Sequence, residues 1–462
     1  MNISKLKLII LFLLSALVSF CGKNTGEKHP RRSFIPTSKQ LKIIDSIQFR
    51  SFKYFVEQTN PANGLVKDRS TGSSPASIAA AGFALPVYAV GVQHGWISKK
   101  DAADKTIKLF KFLLDSEQSN NPDATGYRGF YYHFLKMSDG KREWNSELST
   151  IDTGLLLAGI IFARNYYSGD NPSEEYLRRM ADSLIGRVDW DFFTLSDSGK
   201  YANTLSLGWS PEKGFEPIGW VGYNEALIMY IIAAGMQMKD VDKAYNRWLS
   251  FYDWRNPYPD IKFVSFPPLF GHQFSHIFID FRNIADDYMR KKNLDYFKNS
   301  QLAVEVQRRY AIENPLGWKG YDSLTWGLTA CDGPGPDYNY DDKVFYWYTA
   351  RGTSGPDLIQ NDDGTIAPTA AASSIAFAPQ IVIPTIMNFY DKYGKKGLWG
   401  RYGFYDAFNP TVNWFDKDYI AIDQAPIVLM IENWRNGFVW NYVMMDKIIK
   451  TGLERLGFKT VN

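Results

Sequence analysis

The chain has 462 residues, is 45% hydrophobic and 22% charged, and carries a formal net charge of +3. That balance excludes a disordered chain, and the lack of a basic run interleaved with aromatics argues against a nucleic-acid partner. Aromatic residues make up 16% of the sequence, which fits either a large core or a cleft lined with flat rings on which sugars stack.

The N-terminus reads as an export signal over 1–20. Lys5 and Lys7 precede the apolar run Leu8 to Val18, and Cys21 follows with the polar stretch GKNTGEKHPRR. Cys21 in this setting resembles the lipidated cysteine of bacterial lipoproteins, which places the protein in the periplasm or on the outer membrane. Phe20 departs from the usual small residue, so ordinary cleavage and an uncleaved anchor remain open. Residues 21–37 are polar with Pro30 and Pro36 and read as a tether. With Cys21 lipidated, only Cys331 is left, so no intramolecular disulfide framework is expected.

From 38 to 462 the sequence reads as one all-α domain. The period is helical throughout. Residues 38–59 open on Ser38 as a cap and place Ile43 and Ile47 on one face. Residues 74–95 are apolar with small side chains, 99–118 amphipathic, 146–169 apolar nearly all round, and 173–188 amphipathic. The alternation continues with buried 223–237, amphipathic 241–254, then 274–293, 294–315, 367–394, 423–437 and 438–457. About a dozen helices, buried and amphipathic by turns, predict two concentric rings, an (α/α)6 toroid. The long loops 201–217, 253–270 and 315–342 then cover the open end, with minor β-structure such as IKFVSF.

Three carboxylates stand at the starts of buried segments: Asp152 before TGLLLAGIIF, Glu225 before ALIMYIIAAG and Asp423 before QAPIVLMIEN. In a toroid such starts converge at one mouth. Paired acids there suit glycoside hydrolysis, in which one protonated carboxyl serves the leaving oxygen and an ionised one activates water or attacks. Each also has a plain structural reading. Ser149–Asp152 matches a capping box, and Asp423 suits an N-cap. A helix N-terminus favours the ionised form, whereas a proton donor needs its pKa raised, so for Glu225 desolvation must outweigh the dipole.

His272, His276 and Asp280 share a helical face with a spacing that can hold a metal, although no further ligand joins them and a hydrogen-bonded cleft wall is preferred. The acidic loop 331–342 lacks EF-hand spacing and reads as a turn or a substrate-covering loop. No phosphate-cradling or nucleophile-elbow pattern occurs, and no cofactor or metal is called for.

The segments GWSPEKGF (208–215), IGWVGYNEALIMYIIAAG (218–235), HQFSHIFIDFRNIADDYM (272–289), NPLGWKGYDSLTWGLTACDGPG (314–335) and IDQAPIVLMIENWRNG (422–437) resemble the bacterial glycoamylase-like family. The likeness runs over nearly all of residues 40 to 455. Characterised members of that family include the endo-β-1,2-glucanases of glycoside hydrolase family 144. The resemblance implies an (α/α)6 toroid, an exported enzyme and inversion at the anomeric carbon. It implies Glu225 of YNEA as the general acid and Asp152 of STIDTG as a partner carboxylate, with Asp423 and Glu147 next and the base left open. Trp220, Tyr223, His272, His276, Trp318 and Trp326 are the implied sugar contacts. The implied partner is a glucan, most simply β-1,2-glucan cut endo-wise. Another glucan linkage, or a glycan-binding lipoprotein without catalysis, is the alternative.

Overall fold

The computed structural model describes residues 34–461. The export segment and Cys21 lie outside them. From Pro36 onward the described residues form one compact unit, and fifteen α-helices occur among them.

Six helices are buried along most of their length and make an inner ring: α2 (Ile78–Gln93), α4 (Thr150–Tyr166), α6 (Leu227–Gly235), α8 (Phe274–Phe278), α11 (Pro368–Ala372) and α13 (Ala421–Asn436). Six more make the outer ring: α1 (Ser38–Glu57), α3 (Lys99–Asp115), α5 (Pro172–Gly186), α7 (Val241–Leu249), α10 (Tyr296–Glu313) and α12 (Pro379–Asn388). The outer helices are amphipathic for a simple reason: one face meets the inner ring and the other meets water. α3, for example, buries Ala102, Thr106, Leu109, Phe110 and Leu113 and exposes Lys99, Lys100, Lys108 and Lys111. The ring closes where α13 packs on both α1 and α2. This is the (α/α)6 toroid that the alternation predicts.

Small residues let the inner helices approach. A Cβ on Gly82 of α2 would stand 2.5 Å from the Leu156 Cα of α4, and one on Gly159 would stand 2.1 Å from the Gly82 carbonyl oxygen. Neither fits without separating the helices. Three remaining helices are α9 (Asp287–Lys291), α14 (Phe438–Val443) and α15 (Lys447–Arg455). α15 packs on the C-terminal half of α6 and α14 on α4, so both cover the end of the ring away from the helix starts.

Several predicted boundaries move. Thr37, not Ser38, caps α1, in a capping box with Gln40. The stretch 274–293 is not one helix: Ile279 is extended and Asn283 takes φ 59°, so α8 ends at Phe278. The stretch 367–394 splits into inner α11 and outer α12 because Pro379 supplies no N–H and holds Ala378 out of helical geometry (φ −147°, ψ 65°). The stretch 438–457 breaks before Asp446, whose side chain caps α15.

β-Structure is confined to short pairings. The largest is a five-stranded antiparallel sheet of β1 (Gly126–Tyr127), β2 (Phe130–Tyr132), β3 (Leu148–Ser149), β4 (Gly208–Ser210) and β5 (Gly214–Phe215), in that spatial order. Tyr131 pairs with Ser149 and Tyr132 with Leu148. The next residues, His133 and Glu147, therefore face one another, and the His133 N–H donates to the Glu147 carbonyl at 2.9 Å.

Candidate active site

A cavity of about 520 Å³ opens at the N-terminal ends of the inner helices, a size usual for small-molecule sites. Ala79 of α2, Asp152 and Leu155 of α4, Glu225 just before α6, Phe274 of α8, and Ile422 and Asp423 of α13 all line it. Convergence of helix starts thus brings the three predicted acids to one place.

Glu225 does not cap its helix. No side chain caps α6, whose N-cap is Ala226; just before it the Asn224 Oδ1 accepts the Ala226 N–H at 2.9 Å and shapes the turn into the helix. The Glu225 carbonyl accepts the Ser275 hydroxyl at 2.7 Å, which fixes the backbone and leaves the carboxyl free. Glu225 Oε2 is buried with no partner, while the residue keeps partial access through the cavity. Burial pushes its pKa up to about 7, with its own backbone N–H lowering it and the Asp152 charge raising it further. Desolvation therefore wins over the helix terminus, as a proton donor requires.

Asp152 is 7% exposed. Its N–H donates to Ser149 Oγ at 3.2 Å, and the Ser149 hydroxyl donates back to its Oδ2 at 2.5 Å. Capping and cavity-lining coexist in this one residue. Burial raises its pKa, and His133 and Ser149 work in the other direction. Glu147 stands one step back from the cavity, its Oε1 2.9 Å from His133 Nδ1.

Asp423 is 4% exposed, with Oδ2 unpartnered. Burial raises it to about 7, opposed by a hydrogen bond with Asp406. Asp406, 2% exposed, is held well above the carboxylate range by burial and by Asp423 and Asp332. Two buried carboxyls in contact share one proton. Asp406 is held the higher of the two, so Asp423, which faces the cavity, is the one that ionises first.

In ring order α6 and α13 stand three places apart, so Glu225 and Asp423 approach the cavity from opposite sides. Asp152, on α4, is beside Glu225.

The aromatics that line the cavity are Phe134, Trp144, Phe270, Phe274 and Tyr348. None was named from the sequence. The six implied sugar contacts stand elsewhere. Trp220 is half-buried and donates from Nε1 to Thr150 Oγ1 at 2.8 Å. Tyr223 is buried and stacked on Tyr296. Trp318 lies under Lys343, and Trp326 donates to Thr385 Oγ1 at 2.9 Å inside the core. His272 and His276 are fully packed. The His272 Nε2 lies 3.2 Å from the Phe266 carbonyl oxygen and His276 Nε2 3.1 Å from Ser300 Oγ. Burial lowers both imidazoles, His272 to about 3. Because α8 stops at Phe278, Asp280 leaves their face and pairs with Arg282 instead. These three do not assemble a metal site.

The sequence reading also missed His133, Asp68 and Arg69, which line the cavity. Arg69 donates to Asp332 Oδ2 at 2.5 Å and lies 5.4 Å from the Tyr348 ring centre, binding two loops together. Asp332 belongs to the acidic loop 331–342, the one signal that pointed here. His133 stands in the aromatic stretch FYYHFL, where a lone titratable residue among apolar neighbours was the available hint.

The family model described as "Glycoamylase: Putative glucoamylase" matches residues 217–447. A crystal structure of the same description from Bacteroides uniformis is 30% identical, with a TM-score of 0.79 over 93% of this chain and 100% of that one. This chain belongs to the glycoamylase family. An endo-β-1,2-glucanase from Chitinophaga pinensis, in complex with sophorotriose and glucose, is 28% identical to this glycoamylase-family chain with a TM-score of 0.77. It is covered over 91% of this chain and 99% of its own. An exo β-1,2-glucooligosaccharide sophorohydrolase (non-reducing end) of Parabacteroides distasonis is 27% identical over 91% of this glycoamylase-family chain. The chain spans 58% of the length of that curated relative.

Proposed function

We propose that this protein is a glycoside hydrolase acting endo-wise on β-1,2-glucan with inversion. The observation that carries the reading is a buried carboxyl, Glu225, whose pKa stands near 7, facing an aromatic-lined cavity across from a second buried carboxylate, Asp423. Glu225 protonates the glycosidic oxygen. Asp423 activates the water that attacks from the other face of the sugar, as inversion requires. Asp152, beside the acid and not opposite it, positions the substrate. The likeness to the Chitinophaga pinensis enzyme over nearly its whole length supports the β-1,2 linkage and endo action. Two results test this together. On a panel of α- and β-glucans, the protein releases oligosaccharides of mixed length from β-1,2-glucan, and NMR of fresh products shows the α-anomer. Release of one disaccharide alone makes it an exo-enzyme; no product from any glucan leaves the glycan-binding reading.

We also infer export and anchoring through Cys21, on the strength of the n-region and apolar run before it. Cys21→Ser moves the protein from the membrane fraction to the soluble periplasm. Unchanged fractionation removes the lipid anchor.

A further inference from the structure

His133 is unassigned by the reading above, yet it sits among the acids of the site. Its Nδ1 is 2.9 Å from Glu147 Oε1 and its Nε2 is 3.7 Å from Asp152 Oδ1. Its ring stacks on Phe134 at 4.0 Å between centres. The register of β2 and β3 sets the first contact, because His133 and Glu147 directly follow and precede paired residues. The second contact follows from α4 beginning at Thr150, one residue after β3. With Nδ1 hydrogen-bonded to Glu147 and Nε2 within ion-pair distance of Asp152, the imidazole has a carboxylate on each side and is placed to carry two protons.

Asp152 and Glu225 are buried carboxyls lining one cavity, so each opposes the ionisation of the other. One proton between them has two homes, and only the form with Glu225 protonated is competent for acid catalysis. We propose that His133 is a positioning residue: as an imidazolium clamped by Glu147 and Asp152, it holds Asp152 ionised and so leaves the shared proton on Glu225. This rests on the acid role given to Glu225.

The surrounding charges support it. Burial alone disfavours the cation, but Asp152, Glu147 and Asp68 together bring His133 up to about 9. Asp68, from the loop after α1, is the third acid facing it. The neighbouring cations are otherwise engaged, Arg69 with Asp332 and Arg142 with Glu212. No lysine or arginine stands within salt-bridge distance of Asp152, so His133 is its only cationic partner among the described residues.

The first test needs no substrate. In the intact protein, the ¹⁵N signals of the His133 ring are those of an imidazolium at pH 7.5, and Glu147→Gln lowers the pH at which they titrate. A neutral ring at pH 7.5 overturns the proposal whatever the enzyme acts on. Conversion to a metal-bound signal on adding Zn²⁺, with activity gained, also overturns it, because the trio is then a ligand set. The second test reads the pH profile. In His133→Gln, Asp152 keeps its proton to higher pH, so activity at pH 6 falls about tenfold more than activity at pH 8. Equal loss at both pH values, the mark of a structural defect, sinks the proposal.

Discussion

Glu225→Gln lowers turnover on β-1,2-glucan by about 10²–10⁴-fold, the usual worth of a positioned general acid, while thermal stability holds or rises. Stability holds because Gln keeps the shape and removes a carboxyl that burial already disfavours, with Oε2 unpartnered in the wild type. The pH profile gives a sharper check. Glu225 must be protonated and stands at about 7, so activity falls as pH rises through that value. Asp423 must be ionised and also stands at about 7, so activity falls as pH drops through it. The two limbs leave a narrow bell centred near neutrality. In Asp423→Asn the water loses its base and turnover falls to a similar degree. A Glu225→Gln enzyme that retains even a tenth of wild-type kcat removes Glu225 as the acid.

Arg351→Met destabilises the protein by about 3–5 kcal/mol, the scale for breaking a buried ion pair by removing one partner. Arg351 is fully buried, and its guanidinium meets the Asp363 carboxylate with two hydrogen bonds of 2.8 and 2.7 Å. A third donor reaches the Cys331 carbonyl at 2.7 Å, and a fourth contact reaches the Tyr346 carbonyl at 3.0 Å. Asp363 also accepts the Tyr346 N–H at 3.0 Å. This cluster ties the strand at Cys331 to the turn carrying Tyr348, so it holds one wall of the cavity. Denaturant unfolding measures the loss, and KM rises as Tyr348 loosens. The double change Arg351→Met with Asp363→Leu costs less than Arg351→Met alone, because no charge is left buried without its partner. A single change that costs under about 1 kcal/mol, within the range of exposed pairs, shows the pair to be solvated.

Helical periodicity is a local property. Whether a helix is buried all round or on one face is written in its own side chains, so the alternation of α2 with α3, or α4 with α5, could be read directly and predicted the double ring. Breaks within apolar stretches were harder. Ile279 and Ala378 leave helical geometry inside sequences that keep the helical pattern, because packing and a following proline decide there. The three cavity acids were legible because each stands at the start of a buried helix, and a ring sends all such starts to one end.

What surrounds those acids was decided by tertiary structure. His272, His276, Trp318 and Trp326 stand in segments as distinctive as those of the acids, yet they pack inward and are not among the residues lining the cavity. His133 meets Asp152 across strand register, and Asp406 meets Asp423 from a loop preceding α13. No period connects those positions. The sequence by itself determined the ring of helices and where its mouth lies, since both follow from local patterns of burial. Only the tertiary structure determined which carboxyl keeps a proton, since that depends on desolvation and on charges brought within a few ångströms from distant parts of the chain.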